Sequence, residues 1–232
     1  MHPNERVGVL LINTGSTDAP RAPETRVYLR QFLSDPRVLD INPIIRWLLL
    51  NLVILPKRPR DSAHAYSQVW TNQGSPLLVI SRELMEALKR RMPNVEFAIG
   101  MRYGNPSIES GFDELMAKGI DRLIVAPLFP QYSSAANGSA LELVYSLAGR
   151  RWNVPPISVV PPCYAEPSFI DSWAAVCKPH LDSFKPDLLL MSYHGLPERH
   201  VKKSDKTGAH CLASASCCDG IVDANQHCYR AQ

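Results

Sequence analysis

Charge of either sign is in short supply as an excess in this 232-residue sequence. Lys and Arg number 25 against 22 Asp and Glu, a formal +3 at pH 7. So small a surplus does not argue for nucleic acid, and no arginine-rich stripe interleaved with aromatics runs through the chain. The opening residues, Met1–Arg6, lack the basic start and apolar core of a secretory leader, so a cytoplasmic protein is expected. There is no internal repeat and no low-complexity tract. No apolar run reaches the ~20 residues of a membrane-spanning helix. What is present is ordinary for a soluble globular protein: 45% hydrophobic and 20% charged residues, enough for one large domain or two modest ones.

Short branched apolar runs recur at 7–12, 95–101, 123–126, 157–160 and 188–191. Helical patterns fall between them, at about 24–34, 75–91, 107–118, 137–150 and 167–181. Strands alternating with helices of this length predict βαβ units and an α/β fold of Rossmann-like parallel sheets with flanking helices. The break at 151–156, with its Pro-Pro pair, suggests a first domain over 1–152 and the start of a second over 153–232. Ligands of such sheets bind beyond the carboxyl ends of the strands. That directs attention to Asn13-Thr14, Arg102-Tyr103, Pro130–Ser134 and Tyr193-His194.

One segment, 44–55, is more apolar than a surface helix, and Lys57-Arg58-Pro59-Arg60 follows it. It reads either as a buried core helix or as an apolar lip facing a membrane or a greasy ligand, with basic residues at its edge.

Six cysteines divide into two groups. Cys163 and Cys177 stand apart in apolar surroundings and read as small core residues. Cys211, Cys217, Cys218 and Cys228 form a Cys-x5-Cys-Cys-x9-Cys set. In a reducing compartment such a set points to metal or reactive thiols rather than disulfides. Zinc sites favour closer pairs, so the spacing suits zinc poorly. Four thiolates also suit a [2Fe–2S] cluster. His210 and His227 flank the set as solvated neighbours or substitute ligands. Ahead of it lies Ser192-Tyr193-His194-Gly195-Leu196-Pro197, which puts an imidazole on a turn after the run 188–191. Neutral imidazole binds divalent metals and also serves proton transfer near neutral pH.

Five motifs occur in register: Leu11-Ile12-Asn13-Thr14-Gly15, Gly74-Ser75-Pro76, Met101-Arg102-Tyr103, Pro130-Gln131-Tyr132-Ser133 and the His194 motif. Together, from about residue 7 to residue 200, they resemble ferrochelatase, which inserts ferrous iron into a porphyrin. The resemblance implies two similar Rossmann-like domains with a porphyrin cleft between them, and protoporphyrin IX with Fe²⁺ as substrates in the last step of heme biosynthesis. It implies a catalytic His194 as metal ligand, as acceptor of the pyrrole protons, or both. It makes 44–55 the porphyrin lip, with a peripheral membrane contact. Arg58, Tyr66 and Ser75 match positions that hold the macrocycle or its propionates. Asn13 and Thr14 match the strand-end loop facing the porphyrin, and Arg102, Tyr103 and Tyr132 match cleft-side positions. Some family members carry a [2Fe–2S] cluster in an insert after the His motif, which assigns Cys211, Cys217, Cys218 and Cys228 as its ligands. Members that place a ligand in the Pro-Gln-Tyr-Ser segment differ, because that position is Ser134 here.

The chain also departs from the family. Ferrochelatases continue past the point where this sequence stops, completing the second domain and supplying an acidic residue opposite the histidine. Asp205, Asp219 and Asp223 do not meet that description in the sequence reading. Two further functions compete: a chelatase for coproporphyrin or a cobalt-accepting ring, and a porphyrin- or cluster-binding protein without turnover.

Overall fold

A computed structural model describes residues 5–232. Two compact units are distinguished. One comprises the chain through Leu128 together with Ala135–Val160; the other comprises Phe129–Ser134 and Pro161–Gln232.

The first unit is built on an all-parallel sheet with strand order β2-β1-β3-β4. Its strands are β1 (Val7–Gly15), β2 (Val95–Tyr103), β3 (Arg122–Pro127) and β4 (Ile157–Val159). Leu10, Leu11 and Ile12 are all buried although neighbouring side chains point to opposite faces. Both faces of β1 are therefore covered, which is why its sequence is a continuous apolar run rather than an alternation. The helices α1 (Ala22–Ser34), α4 (Pro76–Arg91), α5 (Ile108–Ala117) and α6 (Ser139–Gly149) stand close to the predicted positions. Gly111 lets α5 lie against β2, since a Cβ there would meet the Ile99 carbonyl oxygen at 2.6 Å. The strand order turns back between β1 and β3, and ligands of doubly wound sheets bind at such a point.

The segment 44–55 is one stretch of a longer helical run: α2 (Pro43–Leu48), a π-helical turn (Leu49–Ile54) and α3 (Leu55–Val69). Asn42 starts it, its side-chain oxygen accepting the Ile44 N–H at 2.9 Å, with Pro43 in the first turn. The π turn has an identifiable cause. Pro56 carries no N–H, so the usual four-residue ladder fails there, and Leu55 N–H donates five residues back to Leu50. Pro59, inside α3, leaves the Leu55 carbonyl without its helical donor; the Arg26 guanidinium donates to that oxygen at 3.0 Å instead. Most of this segment is not a buried core helix. Ile44, Ile45, Trp47, Leu48, Leu52 and Val53 are exposed, whereas Leu50 and Leu55 are buried. No helix among the described residues is long and apolar enough to cross a membrane.

The second unit is organised differently. It holds α7 (Pro167–Phe184), α8 (Glu198–Ser204) and long loops. The run 188–191, expected as a strand, forms no ladder, and Leu188, Leu189, Leu190 and Met191 are exposed. β-Propensity alone does not make a strand; a hydrogen-bonded neighbour does, and none pairs with this segment among the described residues. Cys163 and Cys177 are half-buried rather than core residues; Cys177 lies on α7, which buries none of its side chains.

The loop after α8 is wired by two polar side chains. Asp205 accepts from the backbone N–H groups of Thr207, His210 and Cys211 at 2.7–2.8 Å, and from the Thr207 hydroxyl. These bonds hold its carboxyl well below the ordinary carboxylate range, the Cys211 N–H contributing most. Asn225, fully buried, donates to the Cys217 and Gly220 carbonyls and accepts from Val222 N–H.

Candidate functional site

In the first unit, Asn13 and Thr14 lie at the carboxyl end of the central strand and are half-buried. Asn13 Oδ1 accepts the Thr14 N–H at 2.8 Å, and its amide reaches Ser81 Oγ at 3.4 Å. The next residue must be glycine: Gly15 has φ +99°, and a Cβ would sit 1.8 Å from the Tyr103 carbonyl oxygen. The ends of β1 and β2 are thereby pressed together.

Arg102 and Tyr103 end β2, and they turn inward. Tyr103 is buried, and its hydroxyl donates to Asp35 Oδ2 at 2.8 Å. The Arg102 guanidinium donates to the same oxygen at 2.7 Å and to Ser139 Oγ at 2.6 Å, and Ser139 hydroxyl donates to Asp35 at 2.5 Å. Burial alone would raise the Asp35 carboxyl. The donors from Ser139, the Arg37 backbone, Tyr103 and Arg102 outweigh it, and the group lies below its usual range. Asp35 and Ser139 were not singled out in the sequence. An Asp before a helix-breaking Pro36 looks like ordinary turn chemistry, and its three side-chain partners lie 67 to 104 residues away.

Arg58 and Tyr66 both lie on α3, Arg58 exposed and Tyr66 half-buried. Tyr66 packs edge-on between Tyr28 and Trp70, at 6.2 and 6.5 Å between ring centroids. Burial raises the phenol of Tyr66 above its ordinary value. Ser75 is buried as the residue before Pro76 at the start of α4, and its carbonyl accepts from Leu78 and Val79.

The second unit holds the remaining candidates. His194 is exposed and lies in an irregular segment rather than at a strand end. With Gln131, Glu198, Tyr229 and Arg230, among others, it lines a cavity of about 630 Å³. Tyr132 stands beside Gln131. Its ring meets His227 edge-on at 4.8 Å, and its N–H donates to Gln232 Oε1 at 2.6 Å.

The four clustered cysteines are free thiols, three of them buried and Cys218 half-buried. They fall into pairs. Cys217 and Cys218 sulfurs are 3.6 Å apart. Cys211 neighbours Cys228; burial, then Cys228, pushes the Cys211 thiol up to about 11. Leu212 adopts φ 64°, the left-handed region, and donates its N–H to the Cys217 sulfur. That bond, with help from Cys218, lowers the Cys217 thiol, while burial raises that of Cys218. Among the described residues no three or more His, Cys, Asp or Glu side chains form a ready metal-binding group. The flanking histidines are engaged rather than solvated: His210 Nε2–H donates to the Cys217 carbonyl at 3.0 Å, and His227 packs on Tyr132.

Comparison with known proteins gives this arrangement a context. The sequence profile of the ferrochelatase family matches residues 6–231. The chain is 45% identical over 231 residues to the ferrochelatase of Coxiella burnetii (strain RSA 493 / Nine Mile phase I), covering 99% of this chain and 64% of that protein. The ferrochelatase of Azotobacter vinelandii is 42% identical over 225 residues, 97% of this chain and 66% of its own length. That of Legionella pneumophila (strain Corby) is 43% identical over 229 residues, 98% and 66% respectively. The chain thus spans just under two thirds of the length of these relatives. The match runs through the strand-end motif at Asn13, the helix bearing Arg58 and Tyr66, and the His194 turn alike: this chain belongs to the ferrochelatase family.

Proposed function

We propose that the chain serves ferrochelatase chemistry, the insertion of Fe²⁺ into protoporphyrin IX that completes heme biosynthesis, a lyase reaction. Family membership supplies the reaction. The observation that carries it into this chain is the exposed imidazole of His194 on the wall of a cavity of about 630 Å³. Two pyrrole N–H bonds break, two protons leave and iron–nitrogen bonds form. An imidazole can accept such a proton near neutral pH or bind the entering ion. In this reading Asn13, Thr14, Arg58, Tyr66, Ser75 and Tyr132 hold the macrocycle, with Arg58 pairing to a propionate carboxylate. Arg102 and Tyr103, already committed to Asp35, position the end of β2. The exposed apolar side chains of 44–53 serve as the lip, contacting porphyrin and a lipid surface.

The reading extends to a [2Fe–2S] cluster on Cys211, Cys217, Cys218 and Cys228. Pairing of the thiols supports this. A single zinc needs four ligands converging on one point, whereas a binuclear cluster needs two thiolates on each iron. Thiolates about 2.3 Å from one tetrahedral metal stand about 3.8 Å apart, close to the 3.6 Å between Cys217 and Cys218. The Leu212 N–H bond to the Cys217 sulfur favours a thiolate there. Bound, the cluster would supply cross-links to a loop with a small apolar core.

A visible spectrum of anaerobically purified protein, before and after adding protoporphyrin IX and Fe²⁺, tests the whole reading. Expected are cluster bands at the start and replacement of free-base porphyrin bands by those of the metalloporphyrin. Porphyrin bands that persist unchanged with Fe²⁺ present refute insertion; a colourless protein refutes the cluster.

A further inference from the structure

The cavity that His194 lines has a second group suited to a divalent ion. Glu198, four residues on and the first residue of α8, lines the same space. Neither side chain makes a hydrogen bond or ion pair within the chain among the described residues, so both are available to a ligand. The other charged group in the lining is Arg230, whose positive charge favours the thiolates of Cys217 and Cys218, although burial still raises the Cys218 thiol. The Leu196, Val201, Leu212 and Ala231 side chains give the cavity apolar walls.

We propose that Glu198 acts with His194 as a capture site for the incoming divalent metal. The proposal rests on the insertion reading above and adds a residue to it. Mixed nitrogen and oxygen ligation suits Fe²⁺ as well as other first-row divalent ions. Two protein ligands, with water filling the remaining positions, hold an ion loosely enough to be given up. That is what delivery demands. The carboxylate also offsets charge: the ion enters as a dication, and the two protons displaced from the pyrrole nitrogens leave through His194 or water. Bonds and charges balance without an oxidant or reductant. Glu198 and His194 are separated by only Gly195, Leu196 and Pro197, and Pro197, with its fixed φ, starts α8 at Glu198.

The test uses Mn²⁺, a hard ion that thiolates bind poorly, so the cysteines do not interfere. Free Mn²⁺ is followed by electron paramagnetic resonance during titration of the full chain without porphyrin. One equivalent should bind, and Glu198→Gln and His194→Ala should each weaken binding about tenfold or more, with Glu198→Asp falling between. Asp171→Asn, on α7, controls for general loss of negative charge and should have no effect. In iron insertion, Glu198→Gln should raise the KM for Fe²⁺ about tenfold while the porphyrin KM stays within about twofold. No Mn²⁺ bound, or Glu198→Gln binding as wild type, overturns the capture site. An Fe²⁺ KM unchanged in that variant overturns it as well. Mn²⁺ binding that depends on both residues, in a chain that inserts no iron, supports the capture site and refutes the insertion reading alone.

Discussion

The two units bury their interiors by different chemistry. In the first, Leu10, Ile12, Phe97, Phe112, Leu115, Leu123 and Val125 are essentially inaccessible, packed around a parallel sheet whose backbone is satisfied by its own ladder. In the second, the buried residues of α8 and the loop after it are Val201, Asp205, Cys211, Cys217, Ala224, Asn225 and Cys228. Leucine and phenylalanine are absent from that set; thiols and two hydrogen-bonding hubs stand in their place. Apolar burial contributes about 25 cal/mol per Å², so the first interior can stabilise itself. The second has too little such area, and it is where a bound metal would contribute most. A sheet-centred core tolerates loss of one contact; a loop held by the proposed cluster would depend on each thiol.

Removing a thiol should break that contrast most severely. If the proposed cluster is bound, Cys217→Ser or Cys228→Ser should strip it and unfold residues 205–230 while the first unit stays folded. Structural metal sites contribute on the order of 10 kcal/mol to small domains. Iron and acid-labile sulfide assays with hydrogen exchange read this. Zinc at one equivalent without sulfide would refute the cluster.

Next in size is Asp35→Ala, which leaves the Arg102 charge and two hydroxyls without their partner. Breaking a buried pair in this way costs about 3–5 kcal/mol, all of it in the first unit. Denaturant melts should show it with the metal content of the second unit unchanged. The pH dependence has a definite sign. Since folding lowers the Asp35 carboxyl, its contribution is fully present above the unfolded value of about 4 and is lost as pH falls through the folded value. Wild-type stability should therefore fall below about pH 4 more steeply than that of Asp35→Ala. Parallel acid titrations would sink the assignment.

His194→Ala should lower insertion below about a tenth of the wild-type rate, about 1.4 kcal/mol of transition-state stabilisation. Porphyrin binding should stay within about tenfold and melting should not change, because the ring is exposed. Retention of more than a tenth of the rate would remove His194 as an essential acceptor or ligand.

The last contrast lies within the first unit, along the segment 44–55. Trp47 is 61% exposed and Leu50 only 3%. Trp47→Asp should move stability by no more than about 0.5 kcal/mol yet weaken porphyrin or liposome binding. Leu50→Asp buries a carboxylate and should cost several kcal/mol. Equal melting losses in both variants would return the segment to the core.

Much of the first unit was legible because its signals are local. Branched runs at 7–12, 95–101 and 123–126 became buried strands, and the helical patterns at about 24–34, 75–91, 107–118 and 137–150 became α1, α4, α5 and α6. The run 188–191 carries the same local signal and formed no strand, since a ladder needs a partner that composition does not specify. The segment 44–55 likewise could be read as core or lip from its residues; only the burial of Leu50 and Leu55 beside the exposure of Trp47 and Leu52 separates the two.

The candidate site divides in the same way. His194, the cysteine set and Asn13 stand out in the sequence because their residue types and spacing carry chemistry on their own. Asp35 as the hub for Arg102, Tyr103 and Ser139, Arg26 as the donor to the carbonyl orphaned by Pro59, and Cys228 beside Cys211 were decided by tertiary structure. Sequence by itself determines which groups can bond, bind or titrate. Which of them meet depends on packing across tens of residues, where a hydrogen bond has no periodicity to announce it.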